Sequence, residues 1–510
     1  MNEKNDNLLW TPIAVSAIVW LALYLVATDG VRGSDQYWYV SEVRSVLSGS
    51  SSTNSLWPAY LVADSNYLTE RPFVHRGISP YVIAWLGGSF GEYGAWRACN
   101  LAASLSTATL IAATLRQSGV RKAIATVGGL FYLTLPVVFW NATQPLVETM
   151  LAFCIASMIF VATRAGLSFY VRLLLLMMLA AFSHHIVSIF QPVALAIGFG
   201  MAWAVRSETG TRKLLKILAI GVTLAASLAA MAAAGESHGL SLLQILMNGA
   251  RGGGNMEALT TIDPVEFSWV LASRKMLRSI AIFVERDLNQ VFLAPFLFIL
   301  AAASTGLAKT RNGPFARYPH RLLTYMLGVA CGVYSTVILL HQNQARYTLY
   351  VLPVAVTCVF WAFRDVVAIW SRKRRWLLPA TLGGMLSIDA ILSVRLRHES
   401  RASRLLTVEI QQRFFDDQTL RASSTVLECY HGGTSLAMTY ALPDVRFVHV
   451  SADAPKATME LLAHNTGATV AVCPHDMVEI GSNTGLASWP AVSEFQLDGK
   501  RYKVLQRRRS

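Results

Sequence analysis

Runs of about 17 to 25 predominantly apolar residues recur from near Trp10 to about Val394, each long enough to cross about 30 Å of hydrocarbon as an α-helix. A chain patterned in this way must satisfy its backbone polar groups within each segment, so a bundle of helices in a bilayer is the architecture open to it. Composition agrees. Of 510 residues 54% are hydrophobic and only 15% charged, with a mean hydropathy of +0.42, which excludes an ordinary soluble multidomain protein. A net charge of +14 would point to nucleic acid in a soluble chain. Here the basic residues gather in short loops between apolar runs, where they act as topology signals, and no nucleic-acid partner follows.

Spans are expected near 10–27, 78–115 (a lead-in, then a true span from about Ala95), 123–140, 147–163, 173–186, 189–205, 214–234, 288–307, 322–340, 347–363 and 376–394, about eleven crossings in all. Arg116, Arg121, Lys122, Arg164, Arg172 and the basic clusters at 206–216, 309–321 and 364–375 fall on one side, which the positive-inside rule makes cytoplasmic. The polar start 2–7 has no small-residue cleavage site after the first apolar run, so that run is expected to be retained. The fold class expected is an α-helical polytopic membrane protein. Its transmembrane domain, 1–394, carries extracytoplasmic loops at 28–79 and 235–287, and a small extracytoplasmic α/β domain follows at 395–510. The fifth and sixth runs flank Ser183-His184-His185 with little room for a loop, so a tight hairpin that does not fully cross is the alternative there.

In the tail, 425–427, 446–450 and 469–472 read as strands, 454–464 as a helix opened by Asp453, and 494–497 with 501–505 as a hairpin around Asp498-Gly499. Of six cysteines, Cys99, Cys154, Cys331 and Cys358 lie in or near apolar runs and read as packing residues. Cys429 and Cys473 share the tail and are able to pair in an oxidising compartment, although spacing alone does not decide it. His431-Gly432-Gly433 and His475-Asp476 lack metal-ligand spacing and read as structural or exposed. The glycine-rich 249–255 lacks the Lys and Ser/Thr of a P-loop, which favours a hinge over a phosphate cradle.

Directly after the first apolar run comes Gly33-Ser34-Asp35-Gln36-Tyr37-Trp38-Tyr39. A plain interfacial anchor would use the aromatics and have little need of the acid, whereas a carboxylate held there can orient a hydroxyl acceptor and take its proton. Three stretches together resemble the polytopic glycosyltransferases of the GT-C superfamily. They are Gly33-Ser34-Asp35, then Glu70-Arg71-Pro72 leading through Gly91 to Trp96-Arg97, and finally Gln344-Ala345-Arg346-Tyr347-Thr348-Leu349-Tyr350-Val351-Leu352-Pro353 opening a late span. The pattern is most similar to protein O-mannosyltransferases and the lipid A aminoarabinose transferase, and it covers roughly residues 10–363.

That resemblance implies transfer of a sugar from a polyprenyl-phosphate donor, on the outer face of the membrane, to a glycan, lipid or protein acceptor. By correspondence, Asp35 is the acid of the first external loop, serving the acceptor as base or orienting group. Glu148 stands where the family has a second acid, with Gln144 at a place where an acid would be expected. Arg71 resembles the basic member near the donor phosphate and Arg346 another anion-facing cation; Tyr39, Glu70, Arg76 and Tyr347 are further candidates for substrate contact. His184 and His185, with Glu70 or His75, are candidate ligands of a divalent metal, since some relatives look metal-dependent. The other reading of that pair is an interfacial one hydrogen-bonded to backbone.

Elementary chemistry agrees with these roles. Transfer from a lipid phosphate needs a deprotonated acceptor oxygen on one side of the sugar and fixed cations for the departing phosphate on the other. Arginine suits the cation, because its planar fork binds phosphate oxygens in pairs and keeps its charge. Two alternatives remain. A lipid-linked glycan polymerase or ligase would use the same external architecture. A transporter or flippase would place ionisable groups in mid-span and show internal repeats, a pattern that Asp389, near the outer end of the last span, alone approaches. Arg71, Arg76 and Arg97 also have a structural alternative, as partners of Glu70, Asp64 or Glu92.

Overall fold

The structure, a computed structural model, describes residues 7–27, 30–32, 34–47, 79–164, 167–168, 170–175, 349, 352–362, 364, 376–429, 433–442, 444–450, 463–464, 466–476 and 489–507, with isolated positions 214–215, 218 and 222. The chain divides into two compact units. One comprises Met1–Thr28, Arg97–Gly254 and Val265–Arg395; the other Asp29–Trp96, Asn255–Pro264 and Leu396–Ser510.

The first unit is helical. Helix α1 (Asn7–Ala27) and α3 (Ser79–Gln117, whose residues from Arg97 on belong here) are followed by α4 (Lys122–Leu133), α5 (Pro136–Ala142), α6 (Glu148–Thr163), α7 (Leu352–Ala362) and the first part of α8 (Leu377–Asp416). Among the described residues two helices are long and apolar enough to cross a bilayer, Trp10–Ala27 and Tyr81–Gln117. The expected single span 123–140 is instead two helices, Lys122–Leu133 and Pro136–Ala142, bent by 61°. Pro136 explains the break: it has no N–H for the helical ladder, and it disfavours helical geometry at Leu135, which is extended (φ −68, ψ 125). The expected spans 189–205, 288–307 and 322–340 lie outside the described residues, as do most of 173–186 and 214–234.

Close packing in this unit depends on a small residue. A Cβ added to Gly129 would lie 2.4 Å from the Ala108 carbonyl oxygen, so only glycine lets α4 approach α3 this closely. Aromatics fill the remaining core: Trp20 stacks on Tyr24 at 5.5 Å and meets Phe139 edge-on at 6.1 Å, and Phe131 of α4 packs on Phe360 of α7 at 5.4 Å. The Tyr24 hydroxyl donates to the Arg97 carbonyl at 2.8 Å, and the Lys122 ammonium lies 5.5 Å from the Trp10 ring centroid, a cation over an aromatic face.

The second unit begins with α2 (Ser34–Leu47) and the opening of α3, where Gly91 (φ 69, ψ 165) kinks the helix. It continues with the remainder of α8, α9 (Gln418–Arg421), β1 (Thr425–Cys429), α10 (Gly433–Ala441), β2 (Arg446–Val450), β3 (Val470–Pro474), β4 (Ala491–Leu497) and β5 (Lys500–Gln506). The five strands form one mixed sheet in the order β2-β1-β3-β5-β4. Strand β1 is parallel to β2 and β3, while β5 is antiparallel to β3 and β4.

All three expected strands and the hairpin are present. The turn residues Asp498 (φ 49) and Gly499 (φ 73) both take positive φ, the backbone of a type I′ turn and the reason for Asp-Gly at that place. The expected helix 454–464 lies almost wholly outside the described residues. Phe414 of α8 seals one side of the sheet through Phe447 at 5.8 Å and Phe495 at 6.3 Å. Cys429 and Cys473 are disulfide-bonded, with Cα atoms 4.8 Å apart, inside the buried cluster of Leu427, Ala471, Trp489 and Leu505.

Candidate functional site

In the first unit, the connection from α5 to α6, residues 143–147, is buried throughout, as are Asn141 and Glu148 on either side of it. Non-helical backbone inside an apolar bundle must find its own partners. The Thr143 amide donates to the Phe139 carbonyl at 3.1 Å, the Gln144 amide to Asn141 at 3.1 Å and the Leu146 amide to Gln144 at 2.8 Å. The Asn100 side-chain amide of α3 adds a bond to the Gln144 carbonyl, which fixes the connection to the neighbouring helix. Glu148 opens α6, where the positive end of the helix dipole favours a carboxylate. It is only 2% exposed, a placement that an acid serving the dipole alone, at a wet helix end, would not need.

Sequence reasoning undervalued this neighbourhood. Asn100 and Asn141 are 1% and 0% exposed, and their side-chain carbonyl oxygens have no hydrogen-bond partner among the described residues. Buried amides of this kind are rare, and Asn inside apolar runs was the signal that would have found them. Asp389 of α8 is a second case: it is fully buried and neither carboxylate oxygen has a hydrogen-bond partner among the described residues. Met385, one turn before it, accepts from the Thr134 hydroxyl at 3.2 Å, at the break between α4 and α5. An acid in an apolar helix is costly unless it has a task.

In the second unit, Asp35 is the second residue of α2 and so lies in the first turn of a helix, where a carboxylate is favoured. The turn before it is fixed on both sides. The Tyr93 hydroxyl donates to the Gly30 carbonyl at 2.8 Å and lies 3.0 Å from the Gly30 amide, and the Gln36 side chain accepts from the Arg32 amide at 2.9 Å. Tyr39 is half-buried; its carbonyl accepts from the Trp96 indole at 3.2 Å and the two rings meet edge-on at 5.7 Å. Glu92 pairs with Arg44 at 2.8 Å.

Glu70, Arg71, His75, Arg76, His184, His185, Arg346 and Tyr347 lie outside the described residues. Among the described residues no group of three or more His, Cys, Asp or Glu side chains is placed to hold a metal ion.

No protein-family model matches the chain, and no curated protein matches it in sequence. Solved structures do. ArnT from Cupriavidus metallidurans bound to undecaprenyl phosphate matches with a TM-score of 0.55 at 13% identity, over 97% of both chains. Archaeal oligosaccharyltransferase AglB from Archaeoglobus fulgidus, in complex with an inhibitory peptide and a dolichol-phosphate, matches with a TM-score of 0.52 at 10% identity, over 97% of this chain and 74% of that one. The Archaeoglobus fulgidus oligosaccharyltransferase in complex with Zn and sulfate gives 0.54 at 10% identity, over 93% and 69%. The chain shares its fold with these proteins, the fold that the GT-C resemblance implies. At these identities the likeness concerns the fold alone, in which two of the described helices are long and apolar enough to cross a membrane and a small five-stranded sheet follows. Of the two acids expected from the sequence, Asp35 lies on α2 in the second unit and Glu148 opens α6 in the first.

Proposed function

We propose that the chain is a glycosyltransferase that moves a sugar from a polyprenyl-phosphate donor to an acceptor hydroxyl on the extracytoplasmic face, with inversion at the anomeric carbon. The observation that carries this reading is the GT-C fold, matched over 97% of this chain and of a protein bound to undecaprenyl phosphate. The position of Asp35, eight residues past the end of α1 (35 − 27) in the first turn of α2, supports it.

The reaction follows from the charges. The Asp35 carboxylate takes the proton of the acceptor hydroxyl as its oxygen forms a bond to the anomeric carbon. On the opposite side the bond from that carbon to the phosphate oxygen breaks, and its electron pair leaves with the polyprenyl phosphate. Arg71 and Arg346 receive the phosphate through paired guanidinium hydrogen bonds, which makes a general acid unnecessary for the leaving group. Glu148 is the second carboxylate, orienting the acceptor or sugar hydroxyls. Tyr39, Glu70, Arg76 and Tyr347 line the sugar and the acceptor. The acceptor is a glycan, a lipid headgroup or a protein.

The likeness to oligosaccharyltransferases favours one second reading, the transfer of a whole lipid-linked glycan. One measurement separates the readings: the purified protein in lipid nanodiscs is given lipid-linked sugar donors and acceptor membranes, and the released lipid is identified by mass spectrometry. Release of polyprenyl monophosphate supports the proposal. Release of the diphosphate supports glycan transfer, and donor translocation without release of either would mean a transporter.

A further inference from the structure

The second unit holds an assembly of side chains that the transfer reaction does not use, and it converges on α2. The Arg44 guanidinium pairs with Glu92 at 2.8 Å, donates to the Tyr440 carbonyl at 2.9 Å and lies 4.9 Å from the Tyr440 ring centroid. The last carbonyls of a helix have no partner inside it, and α10 ends at Ala441. Arg44 takes one of them and the Gln411 amide of α8 takes the next, the Ala441 carbonyl, at 2.9 Å. A cation is also favoured at the negative end of the α10 dipole. Two turns earlier in α2, the Tyr37 ring tilts against Tyr440 at 5.1 Å and its hydroxyl bonds the Ser403 hydroxyl of α8. Burial raises the pKa of both phenols above the ordinary value, so both stay neutral hydrogen-bonding groups. Tyr37, Val40 and Val43 are each under 5% exposed and form the seam between α2 and the domain. By the 3.6-residue repeat, position 35 falls on the other side of the helix from 37, 40 and 44.

We propose that α10 and the outer turns of α8 act as a brace that fixes the rotation and depth of α2, with Arg44 and Tyr37 as positioning residues for the acid that α2 carries. The sheet domain thereby acquires a task in the reaction although it contributes no reacting group. This inference rests on the reading of Asp35 as the acceptor-side acid. Catalytic groups must be held to within a fraction of an ångström of productive geometry, and a helix end held only by its own loop would not be.

The test uses the full-length protein in nanodiscs. Tyr37→Phe and Ser403→Ala each remove one hydroxyl and keep the packing, and Arg44→Met keeps the aliphatic stem. Amide hydrogen exchange over residues 34–47 is measured beside transfer kinetics. The expected result is faster exchange in α2, a kcat lowered by about fivefold for each hydroxyl variant, as for the loss of one neutral hydrogen bond, and an unchanged KM for the lipid donor. The double variant Tyr37→Phe/Ser403→Ala should be no worse than Tyr37→Phe alone, since the bond that Ser403→Ala removes is already gone. Unchanged exchange in all three variants overturns the brace. Faster exchange with unaltered kcat overturns its catalytic consequence. If the unmodified protein releases no polyprenyl phosphate from any donor, the transfer reading fails, while the exchange measurement still decides whether the domain holds the helix.

Discussion

Cys429 at the end of β1 and Cys473 on β3 are bonded to each other across adjacent parallel strands, 44 residues apart in sequence. The closed loop contains α10 and β2, so the bond ties together the parallel half of the sheet. Constraining a loop of that length in the unfolded chain stabilises the fold by about 4 kcal/mol in the chain-entropy picture, with about 2 to 4 kcal/mol as the usual observation. The double substitution Cys429→Ala/Cys473→Ala should therefore lower the unfolding temperature of the sheet domain in the intact protein, followed by loss of amide protection in 425–429 and 470–474. Equal protection with and without the bond would show that strand pairing alone sets the stability.

The same bond bears on topology. Disulfides persist in oxidising compartments, which agrees with the extracytoplasmic placement of the domain proposed from charge asymmetry. A reporter active only outside the cytoplasm, fused after Ser510, should give signal, and the same reporter fused after Arg121 should give none. Signal with the opposite pattern would invert the whole membrane orientation and with it the face on which transfer is proposed.

Alkaline titration should reveal the sheet core. Tyr502 on β5 is fully buried and stacks on Phe495 at 5.4 Å, and burial pushes its hydroxyl up to about 12. A phenol bound more tightly to its proton in the folded than in the unfolded state contributes stability that is complete below about pH 10. That contribution is lost as pH rises from there toward about 12. Across this window stability should fall with rising pH for the native protein and less so for Tyr502→Phe. Identical pH slopes for the two proteins would show that Tyr502 has no part in the effect.

How much of this was legible in the sequence depends on the range of the interactions involved. The Asp498-Gly499 hairpin and the strands were readable because turn backbone and alternating or buried apolar runs are local properties. The break at Leu135-Pro136 was readable in principle, since proline's missing donor is also local, but hydropathy averaged over a window runs straight across it. The Arg44 and Glu92 pair and the Tyr37, Ser403 and Tyr440 contacts join residues 48 to 403 positions apart (440 − 37). No periodicity marks such pairs, and an Arg or Tyr in a polar helix reads as solvated surface. Glu148 was chosen by resemblance; its burial, which gives that choice physical weight, depends on Asn100 from another helix holding the connection before it.

Glycine substitutions should separate packing from propensity in the helical unit. At Gly129 a methyl group would meet the Ala108 carbonyl at 2.4 Å, so Gly129→Ala forces α3 and α4 apart and should cost about 1 to 3 kcal/mol. At Gly384, inside α8, an added Cβ meets nothing within 4 Å, so Gly384→Ala should be neutral or stabilise by about 0.5 to 1 kcal/mol through helix propensity. Thermal unfolding in detergent compares the two, and equal shifts would contradict the close α3 to α4 approach.

The two acids should respond differently to neutralisation. If the Asp35 carboxylate takes the acceptor proton, Asp35→Asn keeps its shape but removes the base and should lower kcat by about 100- to 10,000-fold, the range that positioned proton transfer commands. Donor affinity should be nearly unchanged, because the proposal assigns the phosphate to Arg71 and Arg346. Glu148→Gln keeps hydrogen-bonding capacity at a buried site and removes only charge, so its effect should be smaller and fall on KM as much as on kcat. Arg71→Ala and Arg346→Ala should do the reverse of Asp35→Asn, weakening binding of polyprenyl phosphate measured without any acceptor. Full activity of Asp35→Asn in donor-release kinetics would remove Asp35 from the reaction, and unchanged lipid binding by both arginine variants would remove the phosphate clamp.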